Sequence, residues 1–218
     1  MRIAALKERA PGETRAAATP ETVKKFIALG ASFAVEQGAG AFAAIADEDY
    51  AAAGADVLPA GKVAEGADIV LAVQAPDPDA LKGAKPGAWV AATFDPFGQR
   101  ERVDAYAKAG FEALAMEFMP RITRAQSMDV LSSQSNLAGY RAVIEATAHF
   151  QRAFPMMMTA AGTVPAAKAF VMGAGVAGLQ AIATARRLGA VVTATDVRRA
   201  AGEQVQSLGA KFIMIETA

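Results

Sequence analysis

The chain has 218 residues, of which 53% are hydrophobic, 22 are basic and 22 are acidic. A formal net charge of zero without long runs of one sign argues against a nucleic-acid-binding or polybasic membrane-binding surface. The absence of cysteine excludes disulfides and thiolate metal sites and fits a reducing compartment such as the cytoplasm. The N-terminal apolar stretch is too short for a signal peptide, and Pro155, Gly162, Pro165 and Lys168 interrupt the most apolar region, 153–185, so no membrane-spanning helix is predicted.

The first half of the chain alternates short apolar strands with amphipathic helices. The strand RIAAL (2–6) is followed by a helix that Thr19 caps, with Pro20 at its first position and Gly30 closing it. The alternation continues through segments 32–37, 47–55, 67–73, 88–94, 99–110 and 111–117. Nearly continuous apolar strands between helices are typical of a parallel sheet covered on both faces.

A polar loop then leads into a long helix predicted over 132–153. Its apolar residues recur at helical spacing: Leu137, Tyr140, Ile144, Ala148 and His149. His149 lies on that apolar face and is predicted as a packed core residue rather than a general base. Met156, Met157 and Met158 follow as a flexible surface loop, with a docking surface as the alternative.

A second α/β pattern begins near Pro165. Segments 168–173, 190–196 and 211–216 read as strands, and 176–189 and 199–209 as helices, which makes one βαβαβ mononucleotide-binding half. The predicted fold is therefore α/β, with two Rossmann-like domains whose parallel sheets are covered by helices, the second ending after that half. The predicted divisions are an N-terminal α/β domain, a linking helix with the Met-rich excursion, and the first half of an NAD-binding domain: 1–131, 132–164 and 165–218.

The chemistry of the second domain centres on a glycine motif, G-x-G-x-x-G, placed between a strand and a helix. Gly173 permits the tight turn, Gly175 lets the backbone approach a pyrophosphate, and Gly178 lets the helix lie close to the strand. The amides around Val176 open the helix, where phosphate binds favourably. The glycines alone are also explained by a tight strand–helix junction, but the complete strand–helix–strand context favours a dinucleotide.

Asp196 ends the next strand, 23 residues after Gly173. A carboxylate there accepts the hydroxyls of the adenosine ribose and repels a 2′-phosphate, so NAD is predicted rather than NADP. Arg198 and Arg199 weaken this preference without reversing it.

The loop between the two domains, 120–136, concentrates polar side chains: Arg121, Arg124, Gln126, Asp129, Ser132, Ser133, Gln134 and Asn136. Two interpretations stay open. It is a solvated linker in which Asp129 or Ser132 caps the next helix, or its donors and acceptors surround a nicotinamide ring. Gln126 has both the donor and the acceptor that a carboxamide needs.

The stretches KERAPGETR, ATPETVKK, EQGAG, RITRAQSMDVLSSQSNLAGYRAV, PMMMTAAGTVP and GAGVAGLQAIATARRLGAVVTATDVR resemble the alanine dehydrogenase/transhydrogenase family over essentially the whole chain. Within that family they are most similar to the NAD(H)-binding component (alpha subunit, domain I) of proton-translocating NAD(P) transhydrogenase. The interdomain loop is the most specific part of the resemblance.

The resemblance implies which residues hold the dinucleotide. Residues that position the nicotinamide end for hydride transfer are Arg121, Gln126, Asp129 and Ser132, with Ser127 and Met128 as further cofactor contacts. Residues on the phosphate and adenosine side are Gly175, Val176, Asp196, Val197 and Arg198. No metal is expected.

The resemblance also implies partners. NADP(H) is held by a second component, a membrane component couples hydride transfer to proton translocation, and the NAD(H)-binding part is a homodimer. Its place is cytoplasmic, peripheral to the inner membrane through the membrane component.

Two departures separate the chain from alanine dehydrogenases. Arg15 matches their carboxylate-binding arginine, but Gln74 replaces their lysine, and TFDPFGQ stands where their acid–base histidine lies. An amino-acid dehydrogenase must move a proton as well as a hydride, whereas transfer between two nicotinamides needs only proximity, orientation and shielding from water. Arg15 is interpreted as a structural or NAD-side residue. An alanine-dehydrogenase-like oxidoreductase and a non-catalytic NAD-binding or assembly module remain the alternatives.

Overall fold

The computed structural model describes residues 1–120 and 122–214. It divides into two compact units, Met1–Met128 and Asp129–Ala218. The division therefore falls before the long helix and groups that helix with the second unit, whereas the sequence suggested a separate linking segment, 132–164. The functional limits of the domains remain a prediction.

The first unit is built on a six-stranded sheet. Its strands are β1 (Arg2–Ala5), β2 (Ser32–Glu36), β3 (Asp56–Leu58), β4 (Ile69–Gln74), β5 (Trp89–Thr93) and β6 (Glu112–Ala115). Its α-helices are α1 (Pro20–Ala28), α2 (Asp47–Ala52) and α3 (Arg100–Ala109). Every pairing is parallel, and the strand order β3-β2-β1-β4-β5-β6 is that of a doubly wound Rossmann sheet. The α/β prediction is confirmed.

Both faces of this sheet are buried. In β1, Ala4 belongs to one apolar cluster, and its neighbours Ile3 and Ala5 belong to another, because successive side chains point to opposite faces. The helix after β1 begins as predicted: the Thr19 hydroxyl accepts a hydrogen bond from the Thr22 amide at 3.3 Å, and Pro20 follows in the first turn.

The second unit opens with the long helix and continues into a smaller sheet. Its elements are α4 (Val130–His149), β7 (Met157–Thr159), β8 (Gly162–Val164), β9 (Lys168–Met172), α5 (Val176–Arg187), β10 (Val191–Thr195), α6 (Ala201–Ser207) and β11 (Lys211–Phe212). Strands β11, β10 and β9 form a parallel sheet in that order, as expected of one mononucleotide-binding half. The end of the last predicted strand, 215–216, lies outside the described residues.

The face by which α4 packs differs from the predicted one. The helix buries Gly139 and Val143, whereas Leu137 and Tyr140 are about half exposed. A Cβ atom on Gly139 would lie 2.1 Å from the carbonyl oxygen of Ala177 in α5, so the two helices meet at the small residue. Backbone proximity, rather than the size of the apolar side chains, selects the packed face.

Two further expectations are wrong. His149 ends α4 with its side chain 85% exposed, and the nearest charged group is Glu145, with Nε2 3.9 Å from Oε2, so it is not a core histidine. The Met-rich excursion is not an irregular loop: Met157–Thr159 pairs with Gly162–Val164 in an antiparallel hairpin whose side chains are exposed.

The helices of the described part of the chain were also compared with the dimensions of a bilayer. None of them combines enough length with enough apolar character to cross a membrane.

Candidate dinucleotide-binding site

The three glycines of the motif between β9 and α5 have three separate structural reasons. Gly173 has φ +94°, a conformation that favours glycine. A Cβ on Gly178 would lie 1.8 Å from the Gly173 carbonyl oxygen, which is closer than any side chain allows. Gly175 has φ −78°, and a Cβ there would meet no atom within 4 Å, so its surroundings are open to a ligand. The first and third glycines shape the turn, and the second exposes it.

The open end of this turn is the start of a helix. Gly175 is the N-cap of α5, and no side chain of the described residues caps it. The first amides of a helix have no acceptor within the helix and carry the positive end of its dipole. With exposed Val176 following, this twelve-residue helix presents backbone donors of the kind that bind a phosphate group.

Asp196 connects the end of β10 to the glycine turn. Its Oδ2 accepts a hydrogen bond from the Ala174 amide at 2.7 Å, and its Oδ1 accepts one from the Arg198 amide at 2.8 Å. The Arg198 guanidinium adds contacts at 3.0 Å from Nε to Oδ1 and 3.1 Å from Nη2 to Oδ2. The Asp196 side chain is only 6% exposed, although the residue ends a strand at the surface.

The hydrogen bonds to Asp196 also determine its charge. The Arg198 side chain is the largest cause, followed by the Ala174 amide, and together they hold the pKa of the carboxyl well below its ordinary value. Asp196 is therefore a carboxylate at neutral pH. Of its neighbours, Val197 is 95% exposed and the Arg198 side chain is 63% exposed, so the strand end is accessible.

The predicted nicotinamide residues fall in both units. Gln126, Ser127 and Met128 lie in the first unit, on the 3₁₀ turn Thr123–Met128, where they are exposed and Ala125 is buried. Gln126 makes no hydrogen bond to the described residues, and Arg121 lies outside them. Their contacts with a cofactor remain a prediction.

Asp129 and Ser132 lie together at the start of α4. The Asp129 carboxylate accepts hydrogen bonds from the Ser132 amide at 2.9 Å and from the Ser132 hydroxyl at 2.6 Å, which makes Asp129 the N-cap. The capping expected of this loop is thus observed. Capping does not engage all the acceptor capacity of a carboxylate, so a cofactor contact by Asp129 stays a separate prediction.

A second polar cluster lies in the first unit, where β4 ends. Arg15 donates to Glu13 through Nε at 2.7 Å and Nη2 at 2.6 Å, so its guanidinium already binds a carboxylate in two-point fashion. Gln74 donates to the same Glu13 at 3.1 Å and accepts from the Thr93 hydroxyl at 3.1 Å. The Arg15 hydrogen bonds lower the pKa of Glu13 to about 2.

Glu8 completes this cluster by accepting the amides of Val73 and Gln74 at 2.6 and 3.1 Å. Burial raises its pKa, and the two amides oppose that effect. Sequence reasoning singled out Arg15 and Gln74 but missed Glu13 and Glu8. The signal was present in KERAPGETR, where both acids precede the arginine. Among the described residues, no group of three or more histidine, cysteine or acidic side chains is arranged to hold a metal ion.

Two family profiles cover almost the entire chain. Residues 4–138 match Alanine dehydrogenase/PNT, N-terminal domain, and residues 142–218 match Alanine dehydrogenase/PNT, C-terminal domain. The chain is 56% identical over 222 aligned residues to an NAD(P) transhydrogenase subunit alpha of Rhodospirillum rubrum, an alignment that covers 99% of the chain and 58% of that protein.

Solved structures agree with these matches. The crystal structure of transhydrogenase from Sinorhizobium meliloti superposes with a TM-score of 0.94 at 60% identity, covering 99% of this chain and 62% of that one. An L-alanine dehydrogenase superposes with a TM-score of 0.84 at 24% identity, covering 99% and 61%, and shows the shared fold alone. The chain therefore spans less than two thirds of these relatives. The matched profiles and the identity to the bacterial transhydrogenase subunit place it in the alanine dehydrogenase/PNT family.

Proposed function

We propose that this chain is the NAD(H)-binding part of a proton-translocating NAD(P) transhydrogenase. In this role it holds NAD(H) while a partner component holds NADP(H), and a hydride passes directly between the two nicotinamides. A membrane component couples the transfer to proton translocation, and the chain works as a homodimer on the cytoplasmic side of the inner membrane. The observation that carries the proposal is the glycine turn joined to a charged Asp196.

The adenosine side of NAD follows from that observation. The amides at the start of α5, next to Gly175 and Val176, receive the pyrophosphate. Asp196 accepts the ribose hydroxyls, with Val197 and Arg198 beside it. A carboxylate with a lowered pKa repels a 2′-phosphate at all physiological pH values, which supports NAD(H) over NADP(H).

The nicotinamide side is assigned to the loop and the start of α4. Arg121, Gln126, Asp129 and Ser132 orient the ring, with Ser127 and Met128 as further contacts. Exposed Gln126 is free to donate to and accept from the carboxamide. Hydride transfer from one C4 atom to another releases no proton, so these groups need only to bind, orient and exclude water.

The polar cluster of the first unit supports this proposal over an alanine-dehydrogenase-like reaction. A keto acid needs a free cation for its carboxylate, but Arg15 is bound at two points by Glu13. Gln74 carries no charge and cannot act as a proton carrier as a lysine does. The remaining alternative is an NAD-binding or assembly module without catalysis.

Isotope transfer separates the three functions. NADPH deuterated at C4 is bound to the NADP(H)-binding component of a transhydrogenase and mixed with this chain and NAD⁺. We expect deuterium at C4 of the NADH formed and none in water. Deuterium lost to water contradicts direct transfer, and NADH binding without any transfer supports the non-catalytic module. Oxidation of NADH by pyruvate and ammonia supports the dehydrogenase.

A further inference from the structure

The carboxylate that is assigned to the ribose already accepts four hydrogen bonds. Two come from backbone amides, those of Ala174 and Arg198, and two come from the Arg198 guanidinium. A carboxylate offers about four lone-pair positions, two on each oxygen. Asp196 therefore has no acceptor position left for the two hydroxyls of a ribose.

The four hydrogen bonds differ in how easily they can be exchanged. The Ala174 amide belongs to the glycine turn and the Arg198 amide to the chain immediately after Asp196, so releasing either one requires a change of backbone. The guanidinium is held by a side chain that is 63% exposed. An ion pair with one partner in solvent contributes little to stability, so the guanidinium can leave to water at low cost.

The guanidinium also lies over the phosphate turn. Its Nη2 atom is 3.4 Å from the carbonyl oxygen of Ala174, in addition to its contact with Oδ2 of Asp196. Arg198 thus bridges the end of β10 and the first residue after Gly173, which is the place that the ribose has to reach.

We infer that the Arg198 guanidinium and the adenosine ribose compete for the same two acceptor positions of Asp196, so that Arg198 limits the affinity contributed by the ribose hydroxyls. This inference rests on the proposed function in placing the ribose at Asp196. Nucleotide binding then requires the guanidinium to swing away while the two backbone hydrogen bonds keep the carboxylate in position. Arg198 is a specificity-determining residue that acts through Asp196.

Arg199 provides a matched control. It is the next residue, it is exposed and it has the same charge, but its guanidinium makes no hydrogen bond or ion pair to the described part of the chain. Arg198→Ala and Arg199→Ala remove the same charge, and only the first frees acceptor positions on Asp196.

The test compares ADP with 2′-deoxy-ADP by isothermal titration calorimetry on the whole chain and on both variants. The ratio of the two dissociation constants measures the contribution of one hydroxyl, and any general loss of attraction to the phosphates cancels. We expect this ratio to rise about threefold in Arg198→Ala and to stay at the unmodified value in Arg199→Ala.

A ratio that is unchanged or smaller in Arg198→Ala would overturn the competition. An equal rise in Arg199→Ala would overturn it too, because charge alone would then be the cause. If NADH binds and the ratio does not respond, only the inference about Arg198 fails. If neither diphosphate nor NADH binds, the inference and the proposed function fail together.

Discussion

Replacing Gly178 with alanine should damage the fold of the second unit, and the structure indicates by how much. The new Cβ would lie 1.8 Å from the carbonyl oxygen of Gly173 and 2.8 Å from its carbonyl carbon. Both are backbone atoms, so no flexible side chain can yield. Helix α5 would have to move away from the glycine turn by more than about 1 Å to restore an ordinary contact.

Overpacking of this kind typically costs about 1–3 kcal/mol, and a backbone contact belongs at the upper end of that range. In a unit of this size such a loss lowers the midpoint of thermal unfolding by at least about 10 °C. Circular dichroism with heating measures the midpoint. A Gly178→Ala variant that unfolds within about 2 °C of the unmodified chain would refute the reasoning.

Gly175→Ala is the matched control, because its φ is ordinary and its Cβ meets no atom within 4 Å. This variant should unfold at the unmodified temperature, since nothing in the fold is displaced. If the pyrophosphate approaches the backbone here, the added methyl group obstructs it, and NADH should bind at least about tenfold more weakly. Fluorescence titration of NADH checks this. Undiminished binding would remove Gly175 from the phosphate site.

Three other predictions concern separate parts of the chain. Gln126→Asn should slow hydride transfer by about 100-fold while weakening NADH by only about 1 kcal/mol, because a shorter amide misplaces the ring; a loss confined to affinity would contradict the orienting role. Tyr50→Phe should destabilise the first unit by about 1–2 kcal/mol in urea unfolding, since the buried hydroxyl donates to the Ala18 carbonyl at 2.7 Å; an unchanged midpoint would contradict this. Glu13, whose pKa is lowered from 4.5 to about 2, stabilises the fold above pH 4.5, and this contribution disappears as pH falls from 4.5 towards 2. The stability advantage over Glu13→Gln should therefore shrink over that range, and an advantage that grows in acid would contradict the ion pair with Arg15.

The features predictable from sequence were those whose causes are local. Thr19 and Pro20 start α1 where expected, because capping depends on adjacent residues. The roles of Gly173 and Gly178 were predictable for the same reason, since the motif includes both sides of the close contact.

The features that sequence reasoning missed depend on tertiary contacts. The packed face of α4 is determined by the approach of Gly139 to Ala177, thirty-eight positions later, which hydrophobic periodicity does not register. Strand β3 is only three residues long and takes its place by pairing with β2. The contact of Arg198 with Asp196 depends on side-chain conformation, so the sequence indicated two opposing charges but not their competition with a ribose.

The central claim is that the turn from Gly173 to Asp196 binds NAD(H) in preference to NADP(H). The most direct measurement is a pair of fluorescence titrations of the unmodified chain, one with NADH and one with NADPH, at the same ionic strength. We expect saturable NADH binding and NADPH binding at least about tenfold weaker, because the Asp196 carboxylate repels the 2′-phosphate. Equal affinities for the two nucleotides, or no binding of NADH, would contradict the account.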